Sequence, residues 1–176
     1  MLFRSRLDER AAVVEAVEWS VDSELTAAVS LRDVRATKIL CRSRRIDATA
    51  LPDLSRTAER DIRTHLRASG LPGDGMKLVC FQELVTPDSE GLVEVAVAYT
   101  GSVEPVDDLY IRLVPAHREA YLAVPAEYED LPLILRVYDA VEAWTDAHPD
   151  VTCTGYPYEI YPGTDARFDV AYPISD

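Results

Sequence analysis

The chain has 176 residues, 48% of them hydrophobic and 28% charged, and carries a net charge of −13. This balance predicts one globular domain, or two small modules sharing a core, and its acidity repels phosphate backbones, so direct nucleic-acid binding is not expected. No apolar run approaches the roughly 18 residues of a membrane span, and the opening MLFRSRLDER lacks the apolar stretch of a secretory signal, so the expectation is a cytoplasmic protein that does not enter a membrane.

Residues 1–33 are read as an N-terminal extension, expected to be helical. The run RLDERAAVVEAVEWSVDSELTAAVSL is rich in Ala, Glu and Val, although Val13, Val14, Val17 and Val21 also suit a strand. It has no helix-turn-helix pattern and lacks the basic residues of a DNA-binding module. A strand is expected over 34–45. Its CRSRR run, Cys41 to Arg45, is the local basic cluster and reads as a solvated strand edge. In ALPDLSRTAERDIRTHLRASGLPGDG, Leu54, Ala58, Ile62 and Leu66 recur at four-residue intervals and form one apolar stripe of a helix. Asp53 or Ser55 suits its N-cap, and Gly70 followed by Pro72 is a stop signal. Two strand-like runs follow, KLVCFQELV and GLVEVAVAYTG, separated by the turn-forming TPDSEG.

The same order then recurs. LYIRLVPAHREAYLAVP alternates like strand material, with Pro115 marking a bend or an edge. In YEDLPLILRVYDAVEAWTDAHPD, residues Ile134, Val137, Tyr138, Val141 and Trp144 share one helical face, and Pro149 ends the helix. YPYEIYP and ARFDVAYPI read as two strands joined through GTD, a hairpin signal. The prediction is an α+β fold: a tandem β-α-β-β repeat, with halves 34–100 and 108–176 of one domain over 34–176. Its strands form an antiparallel sheet on which two main helices pack.

Familiar catalytic spacings are missing. The three cysteines, Cys41, Cys80 and Cys153, are widely separated, which argues against a disulfide framework. His65, His117 and His148 are isolated, and no zinc, phosphate-loop, dinucleotide or nucleophile-elbow motif occurs. No metal and no cofactor is expected.

The chemistry concentrates in GYPYEIYPG, residues 155–163. Alternation along a strand puts Pro157, Glu159 and Tyr161 on one face and Tyr156, Tyr158 and Ile160 on the other. The second of these faces is mostly apolar and suits the helix layer, which leaves Glu159 either solvated beside a tyrosine or central to a site. Eight of the nine tyrosines follow residue 100, so a ligand would lie nearer the second half. Tyr99, Tyr110, Tyr121 and Tyr172 are further candidates whose facing the sequence leaves open.

Three pieces in this order, RLVPAHREAYLAV, AEYEDLPLILRVYDAVEAWTDAHP and YPYEIYPGTDARFDVAYPIS, resemble the GyrI-like effector-binding domain, which serves MerR-type and AraC-type multidrug-responsive regulators and also occurs alone. The likeness covers Asp108 to Ser175, and more loosely Val34 to Tyr99. Ala126-Glu127 stands where that family has Gly-Pro before the turn tyrosine, here Tyr128. The resemblance implies that Glu159 sits in an aromatic-lined pocket and supports binding of lipophilic cations, with Tyr161 beside it. Tyr128 would be a pocket wall or a structural tyrosine, Trp144 core or lining, and Phe81 the opposite wall. The implied partners are hydrophobic or cationic small molecules, for sequestration or sensing; a protein partner is left unknown. Two other functions are implied as alternatives: hydrolysis of cyclopropane-bearing alkylating compounds with Glu159 as general base beside Tyr161, and inhibition of a topoisomerase as an interaction protein.

Overall fold

In a computed structural model, residues 21–163 and 167–175 are described. Asp22 caps the first helix, α1 (Ser23–Ala28), by accepting from the backbone N–H of Glu24 and Leu25. The chain then forms β1 (Ser30–Val34) and, after a break at Arg35-Ala36, β2 (Thr37–Ile46). The expected strand over 34–45 is therefore the second of two. Residues 1–20 of the expected N-terminal helix lie outside the described residues.

The amphipathic helix α2 spans Leu51–Ala68, and its predicted stripe of Leu54, Ala58, Ile62 and Leu66 is buried. Neither Asp53 nor Ser55 caps it. Both lie inside the helix, and Asp47 ahead of it accepts from the backbone N–H of Thr49 and Ala50 at 2.8 and 3.1 Å. Pro52 sits in the first turn, where its missing N–H costs no hydrogen bond. Gly70 ends the segment at φ +80°, a left-handed conformation that few side chains tolerate.

Next come β3 (Lys77–Phe81) and β4 (Gly91–Tyr99), then β5 (Tyr110–Val114) and β6 (His117–Ala123) on either side of Pro115-Ala116. Ala126–Tyr128 form one 3₁₀ turn, closed by Tyr128 N–H donating to the Pro125 carbonyl at 2.8 Å, so the turn needs no glycine. Helix α3 spans Ile134–Asp146 and is followed by the short β7 (Thr152–Cys153), β8 (Tyr158–Tyr161) and β9 (Asp169–Ser175).

The strands form one curled antiparallel sheet in the order β1-β6-β9-β8-β3-β4-β2-β5, with β7 added beside β9. Both main helices pack on the same face. Under α2 lie Leu40, Val79, Val93, Val95 and Val97; under α3 lie Ala120, Leu122, Val170, Tyr172 and Ile174. The opposite face carries a smaller cluster of Ile39, Cys41, Ala96 and Ala98.

The β-α-β-β order occurs twice, as β2-α2-β3-β4 and β6-α3-β8-β9, and the halves meet where β3 pairs with β8. The strand ahead of each unit pairs in the other one: β1 lies against β6, and β5 against β2. The run Cys41 to Arg45 does form a strand edge beyond its first residue: β5 pairs with β2 from Thr37 to Cys41, and from Arg42 to Ile46 the strand is matched by β4 on one side. Its arginines are partnered as well, Arg42 with Asp61 and Asp108, Arg44 with Asp108, and Arg45 with Glu83.

Candidate functional site

Among the described residues, three buried glutamates project from the sheet: Glu94 from β4, Glu119 from β6 and Glu159 from β8, at 2%, 0% and 9% exposure. Burying a carboxylate is costly unless its charge is matched. For two of them an arginine on an exchanged strand does the matching. Arg112 of β5 meets Glu94 with both Nε and Nη2, and Tyr110 donates to the same carboxylate at 2.6 Å. Arg32 of β1 bridges Glu119 and Asp169, while Tyr158 donates to Glu119. Both clusters lie on the sheet face away from the helices.

Glu159 differs. Tyr138 of α3 donates to its Oε1 at 3.1 Å, and Tyr161 donates to its Oε2 at 2.7 Å. Both partners are neutral hydroxyls. Burial pushes the Glu159 carboxyl above the ordinary carboxylate range, against the two phenolic bonds and the more distant Lys77 charge, which pull it down. The phenols of Tyr138 and Tyr161 are raised in turn, by burial first and then by the carboxylate, so each remains a donor at neutral pH.

Both tyrosines that hold this carboxylate pack against further aromatic rings. Tyr138 meets Phe81 and Tyr172 edge to face at centroid distances of 6.3 and 6.4 Å. Tyr161 stacks on Phe168 at 4.9 Å, and the Lys77 ammonium lies 4.0 Å from the centroid of its ring. Strand pairing explains the assembly: Lys77 stands opposite Tyr161, and Val79 opposite Glu159, on adjacent β3 and β8. The site therefore straddles the junction of the two halves, beneath the helix layer.

The side of the strand is a correction. Tyr158 and Ile160, the apolar-looking set, point away from the helices, and Tyr158 reaches Glu119 there. Glu159 and Tyr161 face the helices, because α3 supplies a hydroxyl for the carboxylate and core for the ring. Hydrophobicity alone cannot anticipate that exchange.

Of the predicted site residues, the fold brings Glu159, Tyr161 and Phe81 together, with Phe81 joined through Tyr138. The other two stand apart. Tyr128 donates to Asp22 at 3.0 Å and packs on the α3 core. Trp144 stacks on His148 at 3.9 Å and lines a surface groove of about 470 Å³ between α1 and α3. Sequence reasoning placed Tyr138 only on an apolar helical face and missed it as the second partner of Glu159. Lys77 and Phe168 gave no separate signal, whereas Tyr172 was among the open candidates.

No family model and no curated protein sequence matches the chain. Solved structures do. The EcmrR C-terminal domain superposes with a TM-score of 0.66 at 12% identity, over 84% of this chain and 97% of that one. SAV2435 bound to tetraphenylphosphonium gives 0.53 at 10% identity, over 84% and 93%. A hydrolase from Listeria innocua gives 0.51 at 11%, over 84% and 91%. Against the EcmrR chain in its DNA complex, the match spans 57% of that chain. The protein thus has the fold of the GyrI-like effector-binding domains.

Proposed function

We propose that the protein binds lipophilic cations of aromatic character at Glu159, as a sequestering or sensing module. One observation carries this reading: of the three buried glutamates, two are met by arginines and Glu159 by two phenols. A ligand bearing a delocalised positive charge is easily dehydrated, and would supply the match that the protein gives its other two buried carboxylates. Tyr138 and Tyr161, with Phe81 and Tyr172 packed against Tyr138, would bring aromatic rings to such a ligand, and each ring face adds about 0.5–2 kcal/mol of cation–π attraction without fixing one geometry. The fold neighbour SAV2435, bound to tetraphenylphosphonium, adds support of the same kind.

The test is a calorimetric titration of tetraphenylphosphonium into the wild type and Glu159→Gln. Saturable binding by the wild type, weakened at least tenfold in the variant, is expected. Equal binding by the two proteins, or none by the wild type, would falsify the reading.

A further inference from the structure

The ring of Tyr161 already has two close neighbours. Phe168 covers one side of the ring at 4.9 Å, with the planes 19° apart, and the Lys77 ammonium sits 4.0 Å from the centroid. The same ammonium is 3.2 Å from Glu59 Oε2 and 3.3 Å from Ser55 Oγ, both on α2. It is largely sheltered, with 15% of the side chain exposed. A positive charge therefore already rests on the aromatic ring whose hydroxyl holds Glu159.

We propose that Lys77 is a tethered competitor for the cation position of this site and sets which cations the protein accepts. The inference rests on the Glu159 reading above and adds a residue to it. An incoming cation gains the face of Tyr161 only by moving Lys77 aside, and α2 holds the means. Glu59 and Ser55 already contact the ammonium, so the lysine can leave the ring while keeping both partners. Glu59 is also held by Arg63 at 2.9 Å, so removing Lys77 does not leave that carboxylate unpaired. A compact point charge gains little over the ammonium it replaces. A large delocalised cation gains more, because it is weakly hydrated and covers several rings at once. Lys77 would thus select for bulky aromatic cations against simple amines.

The test compares tetraphenylphosphonium affinity in the wild type, Lys77→Met and Lys77→Arg. Loss of a competing cation–π contact predicts roughly three- to thirtyfold tighter binding for Lys77→Met, with Lys77→Arg close to wild type because it keeps the charge. Should Lys77→Met fold poorly by thermal melting, Lys77→Gln serves the same comparison, being uncharged and polar. Unchanged or weaker binding by the uncharged variant overturns the competitor role. If Glu159→Gln still loses affinity in that case, the site stands and only the role of Lys77 falls; if the wild type binds nothing, both fall together.

Discussion

Glu159 is the residue on which the account turns, and its chemistry has a sign that can be checked. Its carboxyl is raised in the folded state, so it stays protonated to higher pH there than in the unfolded chain. The folded protein then holds the extra proton between the two values, and stability falls as pH rises through the folded one. Other titrating groups cancel when the wild type is compared with Glu159→Gln. The stability of the wild type relative to the variant is therefore expected to decline from acid to neutral pH in urea unfolding; a rising difference would contradict the burial argument. Cation affinity follows the opposite trend, because the ligand favours the ionised carboxylate. Tyr138→Phe removes one of the two donors that hold the charged form. At neutral pH it should weaken tetraphenylphosphonium binding about threefold to tenfold, the worth of one hydrogen bond, and shift the binding midpoint to higher pH.

At the scale of elements, the sequence disclosed more of the helices than of the strands. Helix α2 announced itself because a four-residue spacing of Leu54, Ala58, Ile62 and Leu66 has one structural meaning, and Ile62→Ala should cost roughly 2–5 kcal/mol in unfolding experiments for loss of packing on β4. Strand β8 was legible in position and alternation but not in facing. Which side of a strand meets a helix depends on what that helix brings, and α3 brings the Tyr138 hydroxyl. The start of β2 was misplaced for a related reason: Val34 and Thr37 belong to different strands with different partners, a distinction set by distant pairing. The two exchanged strands carry their own test. Arg32→Met leaves Glu119 buried without its arginine, and should lower stability by roughly 2–4 kcal/mol, somewhat below the loss for a fully buried pair because the arginine is one-third exposed. Adding Glu119→Leu should recover most of the loss, and a lack of recovery would mean that the ion pair is not the cause.

Across the whole molecule, the two β-α-β-β units are joined at β3 and β8 and cross-braced by β1 and β5. The repeat was visible in the order of patterned segments, but the crossing was not, since neighbours in sequence most often pair with each other. One consequence is cooperative unfolding: neither half holds its full set of strand partners without the other. A fragment covering residues 21–105 loses both β6 for β1 and β5 for β2, and is expected to lack the dispersed NMR spectrum of the intact chain. The candidate site depends on the same union, because Phe81 and Lys77 come from the first unit and Glu159, Tyr161 and Tyr138 from the second. The most direct measurement is an NMR titration of the Glu159 side-chain carboxyl, labelled with carbon-13 and assigned by loss of its signal in Glu159→Gln, with and without saturating tetraphenylphosphonium. A buried Glu159 that the cation neutralises requires a midpoint above the ordinary carboxylate range in the free protein that moves to lower pH when the cation binds. A midpoint that is ordinary from the start, or one that the cation leaves unmoved, would contradict it.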